Sequence, residues 1–270
     1  MGGRGTSMGG SHGMGGGSGA AKAASAAPQT REQQLLARIQ GDPTALMQMS
    51  DQDAADTVAA IEKLPIATDG TERDCFIQRY MNAIGWGNNK PTVLDDNAYE
   101  KARKQAGEES MYHSVKNFGG KTGDVFNDQL MTGKTAFAFE GMYGAGTYWA
   151  HDSAGASAGY GPYQVKAFLN SKAKVTTTYQ LSQEWNQLAA QKPRLFAALS
   201  SAKRGSYGGD NETIYPFLAA AKGFNVIIKS DYSNSSTSRR RGQYVITLDR
   251  SVTTMNSKTI NNAWRSMANW

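Results

Sequence analysis

The chain has 270 residues, a formal net charge of +6 and a single cysteine, Cys75. This length accommodates one domain of ordinary size with attachments, or two small domains. One cysteine excludes an intrachain disulfide and any multi-cysteine metal site, and the three histidines (His12, His113 and His151) show no metal-ligand spacing, so we expect no metal. No stretch approaches the ~20 consecutive apolar residues of a membrane span, which predicts a soluble, cytoplasmic protein.

Residues 1–30 form a Gly/Ser/Ala-rich arm. This segment contains 10 of the 30 glycines, and no acidic residue precedes Glu32. It has little to bury that would offset its backbone entropy, so the composition predicts a disordered arm. Glycine also interrupts the apolar run that a signal peptide needs.

Residues 31–107 are predicted to be a helical lead-in region. Ser50 followed by Asp53 resembles a capping box at the start of an apolar stripe, and Pro65 ends that helix. The predicted helices run from Ser50 to Pro65, from Thr71 to Gly85 and from Asp95 to Gly107. Their apolar stripes need a partner surface, and we expect them to pack on the domain that follows.

Residues 108–270 mix short strands with unevenly placed helices. The predicted strands are Ser110–Val115, Ala136–Phe139, Thr147–Ala150, Lys174–Tyr179, Asn225–Lys229 and Tyr244–Leu248. The predicted helices are Ser153–Tyr160, Gln183–Ala190, Pro193–Ala202 and Glu212–Lys222, the last ending at Gly223. Because regular βαβ alternation is absent, the pattern predicts an α+β fold rather than a doubly wound sheet.

Three separated segments carry candidate chemistry. They are Met111-Tyr112-His113-Ser114-Val115, then Gly144-Ala145-Gly146-Thr147-Tyr148-Trp149-Ala150 with Ser157-Ala158-Gly159-Tyr160, and finally Gly242-Gln243-Tyr244-Val245-Ile246. The glycines permit close backbone approach of a ligand or an unusual turn. Two aromatic faces at the ends of a compact unit can enclose a flat ring. Taken singly, such residues are more often ordinary core and turn residues.

The order and spacing of the three segments together resemble the ADP-ribosyltransferase family, in its poly(ADP-ribose) polymerase and diphtheria-toxin branch. In that branch a histidine on a strand is followed by Gly-x-Gly-x-Tyr-Phe-Ala, by Ser-Ala-x-Tyr and by a strand that begins with a catalytic glutamate. The resemblance covers residues 110–251. It implies a split antiparallel β-sandwich that binds NAD as substrate, carried in residues 108–270. The whole chain is also similar to ADP-ribosyltransferase-like proteins of tailed bacteriophages, which would put it in the host cytoplasm or the virion.

The resemblance implies a role for each matching residue. His113 would bond ribose hydroxyls, with the backbone of Ser114 near the nicotinamide amide. Tyr148 and Tyr160 would enclose the nicotinamide ring beside Gly146, and Ser157 would hold the carboxamide. Ser114 stands where the family has glycine, which affects the close backbone approach. A histidine with a purely structural hydrogen bond is the alternative for His113.

The third segment departs from the family because Gln243 stands where the catalytic glutamate is expected. Glutamine keeps a hydrogen bond but carries no charge and cannot act as a base. Losing such an electrostatic contact typically lowers a rate on the order of 10²–10³-fold. Neither Asp249, six residues further on, nor Glu140 is established as a replacement. The surviving activities, in order, are single ADP-ribose transfer, slow NAD hydrolysis and binding alone.

The sequence therefore leaves three hypotheses. The first is a mono-ADP-ribosyltransferase that modifies a protein or nucleic acid. The second is a catalytically weakened module that binds NAD or ADP-ribose, and the third is a phage structural protein. Arg239, Arg240 and Arg241 precede Gln243 and would attract an acidic acceptor, a phosphate of NAD or nucleic acid. A solvated surface loop is the alternative for this basic run.

Overall fold

The computed structural model describes residues 29–65, 76–115, 140–141, 144–151, 163–202, 214–229 and 244–268. The described helices are α1 (Arg31–Ile39), α2 (Ala45–Gln48), α3 (Asp51–Glu62), α4 (Phe76–Ala83), α5 (Asp96–Ala106), α6 (Thr178–Gln191), α7 (Pro193–Ser201), α8 (Tyr215–Ala221) and α9 (Ser257–Ala268). The described strands are β1 (Thr92–Leu94), β2 (Met111–Val115), β3 (Glu140–Gly141), β4 (Gly144–Ala145), β5 (Thr147–Ala150), β6 (Tyr163–Leu169), β7 (Val175–Thr177), β8 (Val226–Lys229), β9 (Tyr244–Thr247) and β10 (Thr253–Asn256).

Eight of these strands form one mixed sheet in the order β1-β10-β6-β2-β5-β9-β8-β7, and β3 pairs with β4 in a separate ribbon. The outer pairs β1–β10 and β7–β8 are parallel, and every inner pair is antiparallel. The α+β class is therefore confirmed. The resemblance implies a sandwich of two antiparallel sheets, whereas eight of the ten described strands form one sheet whose edges are parallel.

Helices cover both faces of the sheet. The larger core joins α1–α4 and α6–α8 to Ile227, Ile246 and Leu248. The smaller core lies on the other face, where Val226, Val245 and other sheet residues meet Ala263 of α9. Adjacent residues such as Val245 and Ile246 enter different cores because successive side chains of a strand point to opposite faces. The helical lead-in thus shares its core with the sheet, as its apolar stripes predict.

Within the described residues, the structure confirms the helix boundaries that were predicted for the lead-in region. The Ser50 side chain accepts a hydrogen bond from the Asp53 amide at 3.1 Å and caps α3, which ends ahead of Pro65. The Asp95 side chain caps α5 in the same way, and Gly107 ends that helix in the left-handed conformation. The start of the second predicted helix, at Thr71, lies outside the described residues.

The boundary between β7 and α6 differs from the prediction. The strand predicted to reach Tyr179 ends at Thr177, and the helix predicted to begin at Gln183 begins at Thr178. The reason is a capping box: Thr177 accepts from the Gln180 amide, and the Gln180 side chain accepts from the Thr177 amide. Two predicted elements, the strand Ala136–Phe139 and the helix Ser153–Tyr160, lie outside the described residues.

Eight of the described elements have no counterpart among the predicted helices and strands. They are the helices α1, α2 and α9 and the strands β1, β3, β4, β6 and β10. β6 lies between β10 and β2 in the sheet. Without β6, the sequence prediction does not show how β1 and β10 join the other strands. Within the described ranges, no helix has both the length and the apolar character needed to cross a membrane.

Candidate functional site

The sheet is weakly joined at its centre, between β2 and β5. β2 follows β6 in register from Met111↔Ala167 to Val115↔Tyr163, whereas β2 and β5 share a single registered pair, Tyr112↔Ala150. The sheet therefore consists of two four-stranded halves, β1-β10-β6-β2 and β5-β9-β8-β7, that meet at one point. We call this junction the seam. It separates the first motif segment, on β2, from the second, on β5.

A side-chain hydrogen bond crosses the seam. The Nδ1 atom of His113 lies 2.7 Å from the carbonyl oxygen of Tyr148. A carbonyl oxygen only accepts, so Nδ1 must carry the proton and donate. In the neutral ring, Nε2 is then left with a lone pair and acts as an acceptor.

The surroundings of His113 favour this neutral form. Burial lowers the pKa of the imidazole below its ordinary value of 6.5, and the hydrogen bond to Tyr148 opposes that shift only in part. The ring is tilted against the indole of Trp149, with the centroids 5.5 Å apart. Within the described part of the chain, Nε2 makes no hydrogen bond. His113 thus offers one oriented acceptor beside the seam.

The side chain of Tyr148 leaves the sheet towards the larger core. Tyr148 is paired with Ile246 across β5 and β9, and its partly buried ring packs against the helical core that includes Ile246. The ring of His113 instead contacts Trp149, a member of the smaller core. The structure therefore brings the two residues together through the Tyr148 carbonyl and not through a contact between their rings.

Gly146 is required by the close approach of β9. A Cβ atom at this position would lie 2.6 Å from Cγ2 of Ile246 and 3.3 Å from the carbonyl oxygen of Thr247. The φ angle is +153°, a conformation that residues with a side chain rarely adopt. In the protein as described, strand packing accounts for this glycine without a ligand.

Two buried hydroxyl groups lie next to the hydrogen-bonded pair. Ser114 follows His113 on β2, and Thr147 precedes Tyr148 on β5. Both residues are buried, and within the described part of the chain neither Oγ of Ser114 nor Oγ1 of Thr147 has a hydrogen-bond partner. The buried Nδ1 atom of His151, which directly follows β5, also has no partner among the described residues. Because buried polar groups are normally paired, this concentration on the two motif segments requires an explanation.

Thr247 behaves differently from its neighbour. It is the registered partner of Thr147, and its hydroxyl accepts the indole N–H of Trp149 at 3.0 Å. The sequence does not mark Thr147 or Thr247 as a candidate, because a threonine on a strand is a common residue with no motif of its own. Thr147 and Thr247 are registered partners on β5 and β9, yet within the described residues only the hydroxyl of Thr247 has a hydrogen-bond partner.

The third motif segment follows the same order. β9 begins at Tyr244, which pairs with Ala150, so β2, β5 and β9 are consecutive strands of the sheet. Gln243 itself lies outside the described residues, as do Ser157, Tyr160 and the basic run Arg239, Arg240 and Arg241. The side chain of Glu140 also falls outside the description.

Asp249 is held in a structural arrangement. Its Oδ1 atom accepts from the side-chain amide of Asn89 and from the backbone amide of Ser251, both at 2.9 Å. The next residue, Arg250, is buried, and its guanidinium donates to the carbonyl oxygen of Gly87 at 2.8 Å. Burial lowers the pKa of Arg250 to about 10. These contacts tie the turn that follows β9 to residues 87–89.

Comparison with known proteins identifies no relative. No protein-family model, no curated protein and no solved structure matches the chain. Within the described residues, no group of three or more His, Cys, Asp or Glu side chains is arranged to hold a metal ion.

Proposed function

We propose that the protein is an NAD-dependent mono-ADP-ribosyltransferase, which moves ADP-ribose from NAD to a protein or nucleic-acid acceptor and releases nicotinamide. The observation that carries the proposal is the hydrogen bond from His113 to the Tyr148 carbonyl across the seam. It links two residues that are 35 positions apart in the sequence and belong to two segments of one motif. The third segment leads into the next strand of the sheet, so the three segments follow one another in space as well as in sequence.

The seam also supports the proposed fold type. An ADP-ribosyltransferase-type fold divides its strands into two sheets with a cleft between them. Two half-sheets that share only Tyr112↔Ala150 are compatible with such a division, and the seam is where we propose the cleft. The polar atoms there suit the nicotinamide riboside half of NAD, because Nε2 of His113 can accept from a ribose hydroxyl. The Thr147 hydroxyl, on the same face of the sheet, has no hydrogen-bond partner among the described residues.

The reaction breaks the bond between nicotinamide and the ribose, and nicotinamide leaves with the electron pair. Positive charge develops on the ribose, and the acceptor atom then forms the new bond and loses its proton. Gln243 can hold a ribose hydroxyl by a hydrogen bond, but it neither stabilises the positive charge nor takes the proton. The acceptor proton therefore passes to solvent or to a group on the acceptor. This limits the protein to single transfers at a low rate.

We test the proposal by label transfer in a cell lysate, with NAD labelled in its adenylate half. Wild type, Tyr148→Ala and Gln243→Glu are compared at equal concentration of folded protein. We expect wild type to label an acceptor slowly, Tyr148→Ala to label none, and Gln243→Glu to act on the order of 10²–10³-fold faster.

The other outcomes separate the alternatives. Activity confined to Gln243→Glu would show a catalytically weakened NAD-binding module. Absence of NAD binding by all three proteins would contradict the proposal and leave the phage structural protein. Replacing Arg239, Arg240 and Arg241 by serine tests whether these residues bind the acceptor. If they do, labelling should fall while NAD affinity is unchanged. A fall in NAD affinity would instead assign the arginines to the NAD site.

A further inference from the structure

The regular pairing of β2 with β5 ends where the side chain of His113 meets Tyr148. The registered pair of these strands is Tyr112↔Ala150, and both strands continue past it. In an antiparallel pair, each step forward on one strand is matched by a step back on the other, so two steps further the register would bring Ser114 opposite Tyr148. Within the described strands, Ser114 and Tyr148 are not a registered pair.

The hydrogen bonds of β6 show which backbone groups of β2 face β5. The amide of Lys166 donates to the hydroxyl of Thr259 on α9 at 3.0 Å, so it does not serve β2. Backbone groups alternate sides along a strand, so those of Val165 point towards β2, where its registered partner is His113. The backbone groups of His113 therefore face β6, and those of Ser114, the next residue, face β5.

The carbonyl oxygen of Tyr148 is the acceptor that a continued ladder would use next. Because the backbone of Ser114 faces β5, its amide would donate to this oxygen if the two strands stayed together. The oxygen instead accepts from Nδ1 of His113 at 2.7 Å. The imidazole N–H thus occupies the acceptor of the next backbone N–H.

We propose that His113 is a positioning residue, whose imidazole keeps the seam open by taking the Tyr148 carbonyl in place of the Ser114 amide. The two halves of the sheet then stay joined at one pair instead of closing into a continuous ladder, and the opening gives a ligand access between β2 and β5. This role belongs to Nδ1, whereas the ribose contact proposed above belongs to Nε2. The inference therefore goes beyond the proposed function and stands without it.

His113→Asn and His113→Leu are the matched variants. Their side chains have similar size and branching, but only asparagine can donate to the Tyr148 carbonyl. If the seam closes, residue 113 and Trp149 become a non-hydrogen-bonded pair with their Cα atoms about 4.5 Å apart, which gives a strong NMR contact between their α protons. We expect this contact in His113→Leu, and we expect wild type and His113→Asn to lack it.

Hydrogen exchange of the Ser114 amide measures the same change independently. In His113→Leu this amide should bond to the Tyr148 carbonyl, and its exchange should slow at least about 100-fold relative to wild type, because an amide bonded within a sheet exchanges only when the structure opens. The amide of Val165 is the control. It faces β2 from the other side, so it should exchange equally slowly in all three proteins if β2 remains in the sheet.

The measurements use the full chain without a ligand. An α-proton contact between His113 and Trp149 in wild type would overturn the inference, and this result needs no variant. An open seam in His113→Leu would also overturn it, because something other than the imidazole would then separate the strands. A closed seam in His113→Asn would overturn it as well, since donation to the Tyr148 carbonyl would not be what keeps β2 and β5 apart.

Discussion

The packing of Gly146 against β9 leads to a quantitative prediction for Gly146→Ala. The added Cβ would lie 2.6 Å from Cγ2 of Ile246, which is fully buried in the larger core. Forcing an extra carbon into a packed core costs about 1–3 kcal/mol. The φ angle of +153° adds strain of about 1–3 kcal/mol for a residue with a side chain. We expect Gly146→Ala to lower the free energy of unfolding by roughly 2–6 kcal/mol.

Gly41→Ala is the matched control for the backbone strain. Gly41 also has a positive φ, +79°, but a Cβ there meets nothing within 4 Å. The substitution should cost about 1–2 kcal/mol from the left-handed conformation alone. The steric part is tested by the cycle with Ile246→Ala, which removes the clashing methyl group. In that background Gly146→Ala should cost about 1–3 kcal/mol less than in wild type.

Urea unfolding followed by tryptophan fluorescence measures all of these variants. The reasoning is refuted if Gly146→Ala unfolds at the same urea concentration as Gly41→Ala. It is also refuted if Gly146→Ala lowers the free energy of unfolding as much in the Ile246→Ala background as in wild type. Either result would mean that β9 does not approach Gly146 closely, and a ligand would again be needed to explain the glycine.

Two further predictions concern His113 and Ser50. Because burial lowers the pKa of His113 below 6.5, the unfolded chain takes up the proton first as the pH falls, so stability is complete above about pH 6.5 and declines below it. The urea midpoint of wild type should therefore fall between about pH 7.5 and pH 5.5, and His113→Gln should remove most of that fall; an unchanged slope would show that the imidazole is not buried in the neutral form. Ser50→Ala should cost about 1 kcal/mol by loss of the cap on α3, whereas Ser50→Asp, which keeps a capping oxygen, should cost much less; equal losses in the two variants would exclude the cap.

The elements that the sequence predicted are those with local signals. Ser50 and Asp95 accept from an amide three residues later, so a helix start can be read from a short window. Gly107 and Gly223 follow helix ends in the left-handed conformation, which few other residues adopt. These boundaries depend on neighbouring residues alone, and the structure reproduces them.

The parts that were missed depend on distant residues. β1 is three residues long, and it is a strand only because Thr92 to Leu94 lie beside Thr254 to Asn256. The parallel edges of the sheet likewise follow from pairings between segments far apart in the sequence. No local pattern contains this information, so the sequence predicts the α+β class but not the single mixed sheet.

Only the outline of the candidate site could be predicted from the sequence. The order of the motifs pointed to His113 and Tyr148. It did not predict that the imidazole donates to the Tyr148 carbonyl or that the tyrosine ring packs against the larger core. It assigned Gly146 to a ligand, whereas the contact with Ile246 arises from β9, and Ile246 lies 100 residues later in the chain. The hydroxyl of Thr147 stands out only in the structure, where it has no hydrogen-bond partner among the described residues while that of Thr247 accepts from Trp149.

The central claim is that NAD binds at the seam beside His113, and the ring nitrogens of that histidine report on it most directly. We would titrate NAD into protein with ¹⁵N-labelled histidine and assign His113 by comparison with His113→Gln. We predict that Nδ1 keeps its proton throughout, while the Nε2 resonance shifts as the lone pair accepts a hydrogen bond from the ligand. If saturating NAD leaves both nitrogens of His113 unchanged, the seam is not the binding site and the account is wrong.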